Sequence, residues 1–233
     1  MTTGQVTTLF RFDAVGRNHA RSRIYQTIVH VVHATVTTAK VAAVVLAAGQ
    51  SRRTGSVNKL LAPAGGMSMI ERTVDAVLQS QPYETVVVTG HQARAVQSRL
   101  AGRALRFVDN PEFASGLSTS VRAGIASLDE AVEAVLICLG DMPRVASPLL
   151  RHMIETYDPA ENALIVVPSY AGKRGNPVLW DRRFFAEMLT LTGDVGARHL
   201  LVRHAELVRE VTSDDAAVLT DFDTPQQLRE LRD

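Results

Sequence analysis

The run Val41–Ala47 holds seven apolar residues without a polar interruption and passes directly into Ala48-Gly49. A strand with no alternation must be buried on both faces, which demands helices above and below its sheet. Thr85–Thr89, Leu105–Val108 and Ala134–Leu139 repeat the pattern. Between these runs, Met67–Gln79, Gln92–Leu100 and Thr119–Leu128 carry apolar residues at helical spacing. The alternation predicts a doubly wound α/β sheet, helices on both faces, joined by right-handed crossovers.

After Pro143 the order loosens. We expect a helix over Pro148–Tyr157, a strand over Ala163–Pro168 and a short strand over Pro177–Trp180. Helices near Arg183–Leu191 and Val195–His204 should precede a strand over Leu207–Val211. A last helix over Thr224–Arg232 has Asp223 placed to cap it and Pro225 just inside, both favoured positions.

A chain of 233 residues, 46% hydrophobic and 21% charged, can bury one large core. We read one domain, 41–233, preceded by an extension, 1–40. For the extension three readings compete: a disordered tail, a helix added to the domain surface, or a targeting segment. Its five basic residues against Asp13 give it +4, so subtraction from the net +1 leaves −3 on the remainder. The domain thus lacks the positive excess that holds nucleic-acid backbones, and any phosphate must be met by a few placed groups. Cys138 lies inside an apolar run and reads as core; a single cysteine allows no intrachain disulfide. No stretch approaches the roughly 18 apolar residues of a membrane span. Ile24–Ala39 is mildly apolar, but His30, His33 and four threonines interrupt it and no clear cleavage site follows. The expectation is a cytoplasmic protein with neither nucleic-acid nor membrane partners.

Three segments carry chemistry. The first, Leu46-Ala47-Ala48-Gly49-Gln50-Ser51-Arg52-Arg53-Thr54-Gly55-Ser56-Val57-Asn58-Lys59, follows the first strand, where open α/β sheets bind ligands. Small residues at 47–49 let backbone approach a base or phosphate, while Arg53 and Lys59 supply counter-charge, one as a fork and one as a point charge. A Walker loop is excluded because Lys59 follows Asn58 and precedes Leu60, and Gly49-Gln50-Ser51 breaks the dinucleotide fingerprint. The competing reading is an ordinary strand-to-helix turn with surface arginines. The second segment, Gly140-Asp141-Met142-Pro143, puts a carboxylate at a strand end, suited to Mg²⁺ that also holds phosphate oxygens. The third, Asp221-Phe222-Asp223-Thr224-Pro225, offers Asp223 either as a second metal ligand or only as a helix cap. Ser118, Thr119 and Ser120 open a predicted helix, where hydroxyls and N–H groups would face an anion or base; the competing reading makes Ser118 an N-cap. Arg174 and Arg198 lie in glycine-containing loops, either meeting an acceptor's phosphate or standing in solvent.

In this order and spacing the three segments resemble the MobA-like nucleotidyltransferases, whose signature Leu-Ala-Ala-Gly-x-Ser-x-Arg-x-Gly-x-x-x-Lys corresponds to Leu46 through Lys59. The resemblance covers roughly 41–233, with Thr54 standing where the family often has Met. It implies a three-layer α/β/α, Rossmann-like nucleotidyltransferase fold with a mostly parallel, mixed sheet. Asn110-Pro111-Glu112-Phe113 followed by Gly116–Gly124 looks like the middle motif of cytidylyltransferases acting on molybdenum cofactor. Gly175-Asn176-Pro177-Val178 and Gly193-Asp194-Val195-Gly196-Ala197-Arg198 resemble their acceptor-side loops. The resemblance implies CMP transfer from CTP to a molybdopterin-type acceptor, with a molybdenum hydroxylase as a client. Leu46, Ala47, Ala48, Gly49, Ser51, Asn110 and Ser118–Ser120 would hold the nucleotide. Arg53, Lys59 and Asp141 would be catalytic, and Asp141 and Asp223 would bind Mg²⁺. Arg174, Gly175, Asn176, Pro177, Asp194, Gly196 and Arg198 would meet the acceptor. The rival readings are a relative activating another phosphorylated small molecule, a GTP-using guanylyltransferase, and a non-catalytic cofactor escort.

Overall fold

The computed structural model describes residues 39–50, 58–194, 196–222 and 226–227. In chain order the elements are β1 (Val41–Ala47), β2 (Pro63–Ala64), β3 (Met67–Ser68), α1 (Met69–Gln79), β4 (Thr85–Thr89), α2 (Ala93–Arg99), β5 (Arg106–Asp109), α3 (Leu117–Ala126), β6 (Ala134–Leu139) and α4 (Ser147–Thr156). There follow β7 (Ile165–Tyr170), β8 (Lys173–Arg174), β9 (Val178–Asp181), α5 (Phe185–Met188), α6 (Arg198–Arg203) and β10 (Val208–Thr212). The main sheet has the order β10-β7-β9-β6-β1-β4-β5, with β8 added to β7. β5, β4, β1 and β6 run parallel; β9 is antiparallel to both β6 and β7. The sheet is therefore mixed and mostly parallel, sandwiched between helices, the doubly wound architecture expected.

The unbroken apolar character of β1 has a direct cause. Val41, Ala43, Val45 and Ala47 belong to one core with Met69, Val74 and Met153, whereas Ala42, Val44, Leu46 and Ala48 belong to a second with Val121, Ile125 and Met188. Each face of the strand thus serves a different helical layer, α1 and α4 on one side and α3 and α5 on the other. Cys138 lies in the first core, 3% exposed, and desolvation pushes its thiol up to about 12.

Two details differ from the sequence expectation. The helix expected from Met67 begins at Met69, because Gly65 and Gly66 take φ of +57° and +82° and turn the chain into the β2–β3 hairpin. Glu71 then accepts from both the backbone N–H and the hydroxyl of Ser68, at 2.8 and 2.6 Å, fixing the start of α1. The expected strand at Leu105–Val108 forms as β5 but lies at the sheet edge, with Arg106 and Asp109 exposed. The final helix expected over Thr224–Arg232 lies outside the described residues, apart from helical positions 226 and 227. So does the extension, apart from Ala39 and Lys40. No helix among the described residues is long and apolar enough to cross a membrane.

Candidate functional site

From β1 the chain moves outward to β4 and β5, while β6 lies on the other flank of β1. The β1–β6 junction is therefore the point where strand order reverses, and a crevice opens there at the carboxyl ends. Gly140 N–H donates to the Leu46 carbonyl at 3.0 Å, so the loops leaving the two strands start side by side. One carries Gly49, the other Asp141. A Cβ placed on Gly49 would meet no atom within 4 Å, so packing within the chain does not demand glycine there.

Lys59 reaches this crevice from a 3-10 turn, Lys59–Leu61, whose Leu60 is buried in the first core. Its Nζ donates to Asp141 Oδ2 at 2.6 Å, with the two side chains 15% and 18% exposed. This is a short, charge-assisted bond at a partly dehydrated position. α1 steadies the carboxylate's loop, since Thr73 Oγ1 donates to the Gly140 carbonyl at 3.2 Å. On the far side, the Arg144 guanidinium stacks 5.3 Å from the ring centroid of buried Phe222, tying the loop after β6 to the segment carrying Asp221.

Asn58 is a residue the sequence reading passed over. Its Oδ1 accepts from Leu60 N–H at 3.1 Å, while Nδ2 is buried without a hydrogen-bond partner. The signal was present in its place beside Lys59, but an asparagine before a short helix reads first as a cap. Ser118 Oγ is the other buried, unpartnered side-chain polar atom among the described residues.

The middle motif assembles differently from expectation. Asn110 Nδ2 donates to Thr119 Oγ1 at 2.9 Å and to Ser120 Oγ at 3.0 Å, and Asn110 Oδ1 accepts from Glu112 N–H at 3.0 Å. These three predicted nucleotide residues come together, but they satisfy one another and tie the end of β5 to α3. The N–H groups opening α3 are also taken: Leu117 donates to Asp194 Oδ1 at 3.2 Å, Ser118 to the Gly193 carbonyl at 3.2 Å and Thr119 to the Gly116 carbonyl at 3.2 Å. The expectation of free donors at these positions is corrected, because the 193–194 loop meets the first two and Gly116 the third.

The acceptor-side residues divide into two groups. Asn176, Asp194, Gly196 and Arg198 line one cleft of about 330 Å³, together with Leu46 and Asp221. Its floor and walls are mainly apolar, including Ile137, Leu139, Val178, Trp180 and Met188. Asp221, which the sequence reading left unassigned, faces this cleft. Arg174 does not join them: it is half-exposed on β8 and pairs with Glu210 of β10 at 2.7 Å, at the far end of the sheet. Gly175 is used for packing, since a Cβ would collide with the Val218 carbonyl oxygen. Pro177 follows Asn176 at the start of β9 and packs beside Cys138 and Leu139. Ser51, Arg53 and Asp223 lie outside the described residues.

The donor set fits a hard divalent cation shared with a substrate. Among the described residues no three His, Cys, Asp or Glu side chains gather to form an all-protein cage. Asp141 suits an ion held by one or two carboxylates while substrate phosphates complete its shell.

Comparison with known proteins agrees with this geometry. Residues 43–209 match the profile of the MobA-like NTP transferase domain. Nicotine blue oxidoreductase of Paenarthrobacter nicotinovorans is 29% identical over 196 residues, covering 82% of this chain and 96% of that protein. The crystal structure of Rv0371c from Mycobacterium tuberculosis superposes with a TM-score of 0.74 at 31% identity, over 84% of this chain and 98% of that one. A second structure of Rv0371c, in complex with manganese, gives 0.71 at 28% identity over 83% and 98%. A nucleotidyl transferase from Methanothermobacter thermautotroptrophicus gives 0.72 at 26% identity over 83% and 96%. The chain belongs to the family of MobA-like NTP transferase domains.

Proposed function

We propose that this protein is a Mg²⁺-dependent nucleotidyltransferase that moves CMP from CTP to the terminal phosphate of a molybdopterin-type acceptor and releases pyrophosphate. The observation that carries the reading is the Lys59–Asp141 pair at the β1–β6 junction, one cation and one carboxylate poised beside the Gly49 loop. The acceptor cleft next to it has an apolar floor for a planar ring and Arg198 for a phosphate.

In the reaction, an oxygen of the acceptor phosphate attacks the α-phosphorus of CTP. A new P–O bond forms as the bond to the β-phosphate oxygen breaks, and pyrophosphate leaves with the electron pair. The nucleophile is already anionic, so the residues supply position and charge neutralisation instead of a strong base. Lys59 and Arg53 meet the β- and γ-phosphates, offsetting charge that grows on the leaving group. Asp141, with Asp223, is the ligand set for Mg²⁺, which would supply charge stabilisation at the phosphates when bound. Arg198 and Asn176 hold the acceptor, and Leu46–Gly49 with the Asn110 and Ser118–Ser120 region frames the base.

A second reading follows from the relative named as an oxidoreductase, which aligns over 96% of its own length. The same apolar cleft would then accept the molecule to be oxidised or reduced. A molybdenum hydroxylase client belongs to the first reading, as the destination of its product.

The deciding experiment incubates the full chain with Mg²⁺, molybdopterin cofactor and each labelled nucleoside triphosphate in turn. The expected product is a CMP-cofactor adduct with one pyrophosphate released, CTP being preferred over GTP by at least about a hundredfold in kcat/KM. Preference for GTP reassigns the base. No pyrophosphate from any triphosphate, with oxidation of a reduced nicotinamide or flavin probe on adding nicotine blue, replaces transfer with oxidoreduction.

A further inference from the structure

We infer that Lys59 is a displaceable stand-in for the metal ion: its ammonium occupies Asp141 until a nucleotide's phosphates draw it away, so metal and nucleotide enter the site as linked ligands. The inference rests on the nucleotidyltransferase reading and adds an order of assembly to it.

Lys59 Nζ lies 2.6 Å from Asp141 Oδ2, a distance at which the ammonium proton is committed to that oxygen. A cation entering the same carboxylate must break this bond and then share the oxygen with a like charge a few ångströms away. Asp141 is 18% exposed and Lys59 15%, so neither is sealed from ligands, yet both are dehydrated enough for the bond to count. Among the described residues no trio of His, Cys, Asp or Glu side chains gathers to hold a lone metal ion. Without nucleotide, the site therefore favours its own lysine.

A triphosphate changes the balance. Its β- and γ-phosphates offer Lys59 more negative charge than one carboxylate, and a flexible four-carbon stem with a compact charge lets it swing between the two. Asp141 is then released to a metal ion whose remaining positions the same phosphates fill. Because coupling between two ligands is reciprocal, whatever nucleotide gains for metal, metal gains for nucleotide. Pairing the carboxylate's charge with an ammonium in the resting state also sets a barrier to adventitious divalent ions.

The test is a titration of the full chain with Mn²⁺ alone, followed by electron paramagnetic resonance of the free ion, with neither nucleotide nor acceptor present. Lys59→Met should bind Mn²⁺ about tenfold more tightly than the wild type, the worth of one hydrogen bond to a charged group. The gain should vanish in Lys59→Met combined with Asp141→Asn. Lys59→Gln serves as a second variant, and melting curves confirm that each chain is folded. Equal Mn²⁺ affinity in wild type and both single variants would overturn the inference. So would a gain that survives loss of Asp141, or no binding by any of the chains at millimolar Mn²⁺. Product formation from CTP is assayed separately, so failure of the transfer reading and failure of the stand-in are distinct results.

Discussion

The two flanks of β6 build the site by different means. On the β1 side, parallel strands deliver their carboxyl ends to one crevice, and the candidate residues lie within a few positions of an apolar run: Gly49 after β1, Asp141 after β6. On the β9 side the chain reverses direction, with Val178 opposite Ile137, and the cleft is walled by loops and short helices. Residues there divide their duties. Asp194 lines the cleft and also accepts from the first N–H of α3, and Gly175 exists to let a strand pass Val218. A parallel sheet therefore announces its functional positions by place, whereas the mixed flank must be read contact by contact.

The sharpest break between the flanks is Asp141→Asn. We expect kcat to fall at least about a hundredfold, because charge stabilisation carried through that carboxylate is worth several kcal/mol. The melting temperature should move little, since the side chain is partly exposed and its bond to Lys59 survives as a neutral acceptor. Steady-state kinetics beside a thermal melt measures both. A drop in turnover of less than tenfold would shift the chemistry to the β9 flank.

The second comparison sets Arg198 against Arg174, two arginines of the mixed flank that the sequence treats alike. Arg198 lines the cleft, and Arg198→Ala should raise the acceptor's KM about tenfold with kcat little changed, as for one charged hydrogen bond. Arg174 spends its guanidinium on Glu210, and Arg174→Ala should change KM less than about twofold, the range of a solvent-exposed pair. The reverse ranking would show that the acceptor lies along β7 and β10.

Why these two arginines were indistinguishable in the sequence is a matter of reach. Each lies within two residues of a glycine, and only the pairing of β8 with β7 and of β10 with β7 reveals that Glu210 stands beside Arg174. The strand-end chemistry needed no such knowledge: an apolar run fixes where a strand stops, and Asp141 is the second residue after it. Asn110, Thr119 and Ser120 fall between. Their proximity was legible in the motif spacing, but their mutual hydrogen bonds were not, because they depend on how α3 docks. Asp221 was left unassigned because Asp223 fits a cap and a ligand equally well and drew the reading to itself; only the cleft puts Asp221 beside Asn176 and Arg198.

The smallest predicted effect concerns acid, and it again sets one flank against the other. On the β1 flank, hydrogen bonds from the hydroxyl and then the backbone N–H of Ser68 hold the Glu71 carboxyl below its ordinary range, with Arg103 adding to them. On the mixed flank, the hydrogen bond from Arg174 does the same to Glu210. Both are carboxyls depressed in the folded state, so each adds stability that is present above the ordinary value of 4.5 and is lost as pH falls through the depressed one. Their sizes should differ. The Glu71 side chain is 17% exposed and closes the first turn of α1, the helix that holds Gly140 through Thr73, so Glu71→Ala should cost about 1 kcal/mol at pH 7. Glu210 is 41% exposed and its pair is screened by solvent and salt, so Glu210→Ala should cost less than about 0.5 kcal/mol. Urea unfolding of both variants and the wild type, repeated across the pH range on either side of 4.5, measures the difference. The Glu71→Ala deficit should shrink toward zero on the acid side. A deficit that stays constant with pH would assign the loss to helix propensity and packing, and a larger cost at Glu210 would make the mixed flank the one that acid opens first.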